Sequence, residues 1–150
     1  MQILTLYKRY VKITDNLKSI SLLLIRLVLA YGFYQPAVMK VKDIHAIGDW
    51  FKELGMPFPY INAYAATFTE LAGFVLIGLG FGTRIIALPM MVVMLVAIKT
   101  VHWANGFEAS NNGFEIPLYY LLMLFLLICS GAGKISIDFV IFQYQKAKKD

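Results

Sequence analysis

Four long apolar runs take up about half of this chain, at residues 20–38, 63–81, 85–103 and 116–132. Few polar residues interrupt them: Arg26, Gln35 and Pro36 in the first, Thr67, Thr69 and Glu70 in the second, Pro89, Lys99, Thr100 and His102 in the third, Pro117 in the fourth. Each run approaches the roughly 20 residues that cross about 30 Å of hydrocarbon as a helix. A soluble protein would have to wrap four such helices in polar ones, and 150 residues do not contain them. The chain is 59% hydrophobic and 15% charged, against about half and a quarter in soluble domains. The pattern predicts an all-α membrane protein: one integral membrane domain, residues 1–150, built as a four-transmembrane-helix bundle.

Lys and Arg set the orientation. The N-terminal arm carries Lys8, Arg9, Lys12 and Lys18, the link between runs two and three Arg84, and the tail Lys134, Lys146, Lys148 and Lys149. On the opposite side Lys40, Lys42 and Lys52 are offset by Asp43, Asp49 and Glu53, and residues 103–115 hold no Lys or Arg. Both termini are expected to be cytoplasmic. The net charge of +5 is therefore a topology signal, and no nucleic-acid partner is expected. The first run is span-length, and Gln35-Pro36-Ala37 is no small-residue cleavage site, so it should stay attached.

Three segments outside the runs are expected as amphipathic interfacial helices in contact with lipid. One is the arm, with Ile3, Leu4, Leu6, Tyr7, Tyr10, Val11 and Ile13 beside its cations. The second is DIHAIGDWFKEL at 43–54, where Ile44, Ile47, Phe51 and Leu54 recur with helical period. It should lie on the outer leaflet or cap the bundle. The third is the tail at 135–144.

Cys129 is the chain's single cysteine, and His45 and His102 are its two histidines. One chain can then form no internal disulfide and no multi-histidine metal or haem site. No CxxC, P-loop or GxGxxG occurs. No metal and no intrinsic cofactor are expected, and no catalytic residue is assigned.

Ionisable residues inside spans are costly and mark candidate sites. With the termini inside, Arg26 lies about 9 Å from the inner face, Glu70 roughly 10 Å below the outer face and Lys99 about 21 Å from the inner face. Depth favours a Glu70–Lys99 pair in the outer half, with Arg26 either reaching upward or snorkelling inward. Lys99, His102 and Asn105 follow at three-residue steps on one face of a continuing helix. Asn-Gly-Phe-Glu occurs at 105–108 and again at 112–115. The second copy starts run four, and the loop should form an outer lid that brings Glu115 near His102 and Lys99. The expected polar niche is Glu70, Lys99, His102, Asn105 and Glu115, with Arg26 and Arg84 as structural charges.

These features occur in a recurring order: RLVLAYG at 26–32, QPAVMK at 35–40, WFKELGMP at 50–57, TELAGFVL at 69–76, GFGTR at 80–84, HWANGF at 102–107, NGFE at 112–115 and GKISID at 133–138. In that order they resemble the DoxX family of small four-helix bacterial membrane proteins over about residues 19–139. The resemblance implies a four-helix bundle in the bacterial inner membrane. It also implies an association with redox chemistry, because family members serve as the small membrane subunit of a thiosulfate:quinone oxidoreductase or in redox-stress complexes. No residue here marks thiosulfate, and that substrate is not carried over.

The functional expectation is an accessory membrane subunit, rather than a stand-alone enzyme, that offers a quinone or other lipidic ligand its polar niche. His and carboxylate groups could hydrogen-bond such a ligand and pass protons, while electrons would come from an oxidoreductase partner subunit. The alternatives are a small transporter or permeation subunit, and a structural anchor without ligand. Homo-oligomerisation is left open.

Overall fold

A computed structural model describes residues 2–148. Lys149 of the basic tail and the side chain of Ile13 lie outside the described residues. Every regular element among the described residues is helical: α1 (Gln2–Lys42), α2 (Ile44–Glu53), α3 (Pro59–Leu79), α4 (Thr83–Ala97), α5 (Glu115–Ser130) and α6 (Ile137–Ala147). Short π and 3-10 turns carry the chain on from α4 to Asn105.

The arm and the first run form one 41-residue helix, about 60 Å long. The arm is thus an extension of the span and not a separate surface helix. No glycine and no proline interrupts residues 2–31, and the Thr14 hydroxyl bonds back to the Val11 carbonyl at 2.9 Å instead of capping a break. Pro36 sits inside the outer half of α1, where it removes one backbone donor. Asp43 ends this stretch and caps α2, its carboxylate accepting the Ala46 N–H at 2.9 Å. The α2 helix caps the bundle: Gly48 and Phe51 are buried against it, and the Tyr60 hydroxyl donates to Asp49.

The turn from α3 to α4 is tight. Gly80 closes α3 in the left-handed conformation (φ 68°), with the Gly80 and Phe81 N–H groups bonded to Ile77 and Leu76 carbonyls, a Schellman-type ending that suits glycine. Asp138 at the start of α6 then caps α4, its carboxylate accepting the Gly82 and Thr83 N–H groups at 2.7 and 3.0 Å.

α1, α3, α4 and α5 pack as a bundle around Leu29, Phe33, Ile77, Met90, Leu124 and Leu127. A stripe of Ala63, Thr67, Glu70, Gly73 and Ile77 is buried along α3. The Met90 thioether packs into the space that Gly73 leaves on α3, a close helix approach of the kind small residues allow.

Three helical stretches are long and apolar enough to cross a membrane: Leu17–Lys42, Pro59–Leu79 and Thr83–Asn105. The fourth falls short of the expected run. Gly131 stops α5 after 16 residues, about 24 Å, against roughly 30 Å of hydrocarbon. Only 17–28% of each spanning window is buried, and Leu27, Tyr31, Phe68, Ile85, Val92 and Phe125 are exposed. Water would not tolerate such a surface on a monomer, whereas lipid does.

Candidate functional site

The bundle holds one ion pair among the described residues, between the last turn of α1 and the middle of α3. Lys40 donates to Glu70 Oε1. The Glu70 side chain is 3% exposed and that of Lys40 18%. The second carboxylate oxygen, Oε2, is buried and has no hydrogen-bond partner. An acceptor left bare in an apolar interior costs free energy.

This pair lines a cleft of about 810 Å³. Phe33 and Met94 belong to its buried wall, Trp50 and Phe51 of α2 to its lid, and Tyr120 of α5 to its far side. Val92 and Val96 of α4 also line it and are 58% and 38% exposed. These two residues also belong to the exposed apolar surface of the bundle, so the cleft is continuous with that surface. Its volume is within the range of small-molecule sites.

The expected niche residues separate into two groups. Glu70 and His102 line the cleft; Lys99, Asn105 and Glu115 do not. Glu70 takes Lys40 as its partner instead of Lys99. The depth argument treated Lys40 as a loop residue, but α1 continues to Lys42, so Lys40 stays on the helix and its side chain reaches Glu70. Lys99 is exposed. It falls in a π turn at Ile98–His102, whose wider winding spreads residues that an α-helix would stack on one face. Lys99 is therefore turned outward while His102 stays half-buried.

His102 is fixed by the loop. Its Nδ1 lies 2.8 Å from the Asn112 carbonyl oxygen. A carbonyl only accepts, so Nδ1 carries the proton and Nε2 is an acceptor in the neutral ring. Asn105 donates to the same carbonyl at 3.2 Å. The two Asn-Gly-Phe-Glu copies pair with each other: the Phe114 N–H bonds the Gly106 carbonyl at 3.1 Å, and the Glu115 N–H bonds the Phe107 carbonyl at 3.0 Å. Phe107 and Trp103 pack on Phe114. Glu115 accepts from the Ala109 N–H at 3.0 Å and the Tyr119 hydroxyl at 2.9 Å. The repeat is thus a buckle that holds the loop and His102 in place, and Glu115 belongs to the buckle.

Arg26 neither meets Glu70 nor snorkels. It is 2% exposed and gives four hydrogen bonds to carbonyls: Nε to Ile77 at 3.0 Å, Nη2 to Gly78 at 2.9 Å, and Nη1 to Ala132 and Ile135, both at 2.8 Å. It ties α1 to the end of α3 and to the segment after α5. Arg84 is exposed and bonds the Cys129 carbonyl at 3.3 Å. No group of three or more His, Cys, Asp or Glu placed to hold a metal occurs among the described residues.

The DoxX family profile matches residues 21–103, more than half of the 150 residues. The chain belongs to the DoxX family. A Haemophilus influenzae protein whose description names no function is 34% identical over 131 residues, covering 82% of this chain and 84% of that one. A Bacillus subtilis protein described as "Putative oxidoreductase CatD" is 28% identical over 130 residues, covering 85% of this chain and 92% of its own. No solved structure matches. The DoxX match contains Arg26, Lys40, Glu70 and His102 and stops before the second half of the buckle. Sequence reasoning missed Lys40, although the absence of any helix breaker between Pro36 and Asp43 was the available signal.

Proposed function

We propose that this DoxX protein is an accessory membrane subunit of a quinone-linked oxidoreductase or redox-stress complex, and that it holds a quinone or comparable lipid-soluble ligand in the cleft beside Lys40 and Glu70. One observation carries the reading: a buried carboxylate oxygen without a partner, Glu70 Oε2, inside an apolar cleft continuous with the exposed apolar surface of the bundle. The groups available suit a ligand whose oxygen alternates between carbonyl and hydroxyl. Lys40 Nζ can donate to a carbonyl, and Glu70 Oε2 and His102 Nε2 can accept from a hydroxyl. Such a ligand supplies the redox chemistry, and this chain's residues orient it and hold protons at its oxygens. The oxidoreductase description of the Bacillus subtilis relative points the same way, with electrons arriving from a partner subunit. In this reading α5 also crosses the bacterial inner membrane, which makes four spans with both termini cytoplasmic.

A transport path draws less support. The inner half of the bundle is filled by Leu29, Ile77, Met90 and Leu127 and tied shut by Arg26. The test is organic extraction and mass spectrometry of purified protein, wild type beside Glu70→Gln at matched folding. A stoichiometric quinone that falls several-fold in the variant is the expected result. Equal absence of quinone from both samples, when the protein is purified from quinone-containing membranes, would refute the reading.

A further inference from the structure

At the opposite end of the bundle a second recess, open and about 700 Å³, lies between the start of α1, the α3–α4 turn and the segment joining α5 to α6. Three cations line it: Lys18, Arg84 and Lys134. Among the described residues none of the three has a carboxylate within ion-pair distance. The one acid in the wall, Asp138, spends both oxygens on the Gly82 and Thr83 N–H groups. Arg84 makes a single long bond, through Nη2 to Cys129, and the rest of its guanidinium fork is open. Ser19 accepts the Lys134 N–H at 3.3 Å, which leaves its own hydroxyl proton to give. The recess thus offers three cations and open donors against a single carboxylate that is already engaged by backbone N–H groups.

Its rim is apolar. Ile85 and Phe142 line the recess and are 77% and 67% exposed. Ile85 begins the outward surface of α4, whereas Lys18 and Lys134 lie where the apolar runs give way to charged sequence. A group of positive charges at that boundary, with an apolar track leading from it into the hydrocarbon, matches a phosphate attached to acyl chains. We propose that this recess binds the phosphodiester of an anionic phospholipid, with Lys18, Arg84 and Lys134 around the phosphate and an acyl chain along Ile85. The same cations would suit free inorganic phosphate, but that ion would make no use of the apolar rim.

The full chain, purified in detergent, is titrated with phosphatidylglycerol and with phosphatidylcholine and read by native mass spectrometry. Phosphatidylglycerol is expected to bind more tightly. The Lys18→Gln/Lys134→Gln variant is expected to weaken that binding by about 30-fold, from ~1 kcal/mol for each cation near an anionic headgroup. It keeps Arg84, whose bond holds the end of α5. Lys146→Gln/Lys148→Gln removes the same charge from the same end without touching the recess and is expected to leave binding unchanged. Equal loss in both double variants would reduce the effect to diffuse charge and overturn the proposal. So would equal binding of the two lipids, or displacement of the lipid by inorganic phosphate at equal concentration.

Discussion

Arg26 shows how a cation is held in an apolar bundle by hydrogen bonds to backbone carbonyls. The last carbonyls of a helix have no intrahelical donor and carry the negative end of its dipole. Arg26 meets two carbonyls in the last turn of α3, and two more on the segment between α5 and α6, with four hydrogen bonds. Lys40 and Glu70 solve the problem differently, as a pair, and the pair can be broken one side at a time. Lys40→Met leaves the Glu70 carboxylate buried alone and is expected to cost about 3 kcal/mol, measured as a lower unfolding midpoint in dodecyl sulfate. Adding Glu70→Gln to Lys40→Met should recover most of that loss. Additive losses would mean that the two side chains are not coupled. Neither arrangement was legible in the sequence. Depth along a helix compares charged residues with charged residues, and Arg26 is answered by backbone. Lys40 was counted in a loop because the apolar run fades after Val38, while the helix itself persists until Asp43.

The elements were legible in proportion to their apolar length. The first three runs became helices long enough to span, and the prolines inside two of them, Pro36 and Pro89, each remove one i to i−4 donor without ending the helix. Their bounds differ from the runs, because α1 continues through the polar arm and to Lys42, whereas Gly80 stops α3 inside its apolar run. The π turn at Ile98–His102 has no local signal in IKTVH, and it undid the expected Lys99–His102–Asn105 face. The loop repeat was visible as a repeat. Its pairing was not, because two four-residue strings do not state that they will bond to each other. Gly113 is where the buckle is tightest: a Cβ there would meet the Gly106 carbonyl oxygen at 2.5 Å and the Glu108 carbonyl oxygen at 2.6 Å. These are backbone atoms and cannot rotate away. Gly113→Ala is therefore expected to open the loop. Hydrogen exchange at the Phe114 and Glu115 amides should speed up by at least ~10-fold, while amides inside α3 keep their protection. Unchanged exchange at both sites would mean the buckle does not hold the loop.

At the scale of the molecule, the open question is which helices cross. α5 runs from the buckle, where Glu115 bonds Tyr119, to the segment that the Arg26 knot holds. With Cys129→Ala as background, Ser110→Cys in the loop should react with a membrane-impermeant maleimide on intact cells. Lys146→Cys in α6 should react only after lysis. Labelling of both from the same side would place α5 along the membrane instead of across it. This follows from charge as well as from packing, because the cations of the N-terminal arm, Arg84 and Lys134 are gathered at one end of the bundle and residues 103–115 at the other.

One helix joins the arm at one end of the molecule to the cleft at the other. From Ile3 to Arg26 is about 35 Å along α1, and from Arg26 to Lys40 about 21 Å. Arg26 is bonded to two other parts of the chain, and the arm on its near side stands clear of the bundle, with Ile3, Leu6 and Tyr10 all exposed. Mechanically this is a cantilever clamped at Arg26. Beyond the clamp Leu29, Phe33 and Ala37 are buried in the bundle, so a partner that grips the arm bends the free length on the near side and leaves the Lys40 end where it is.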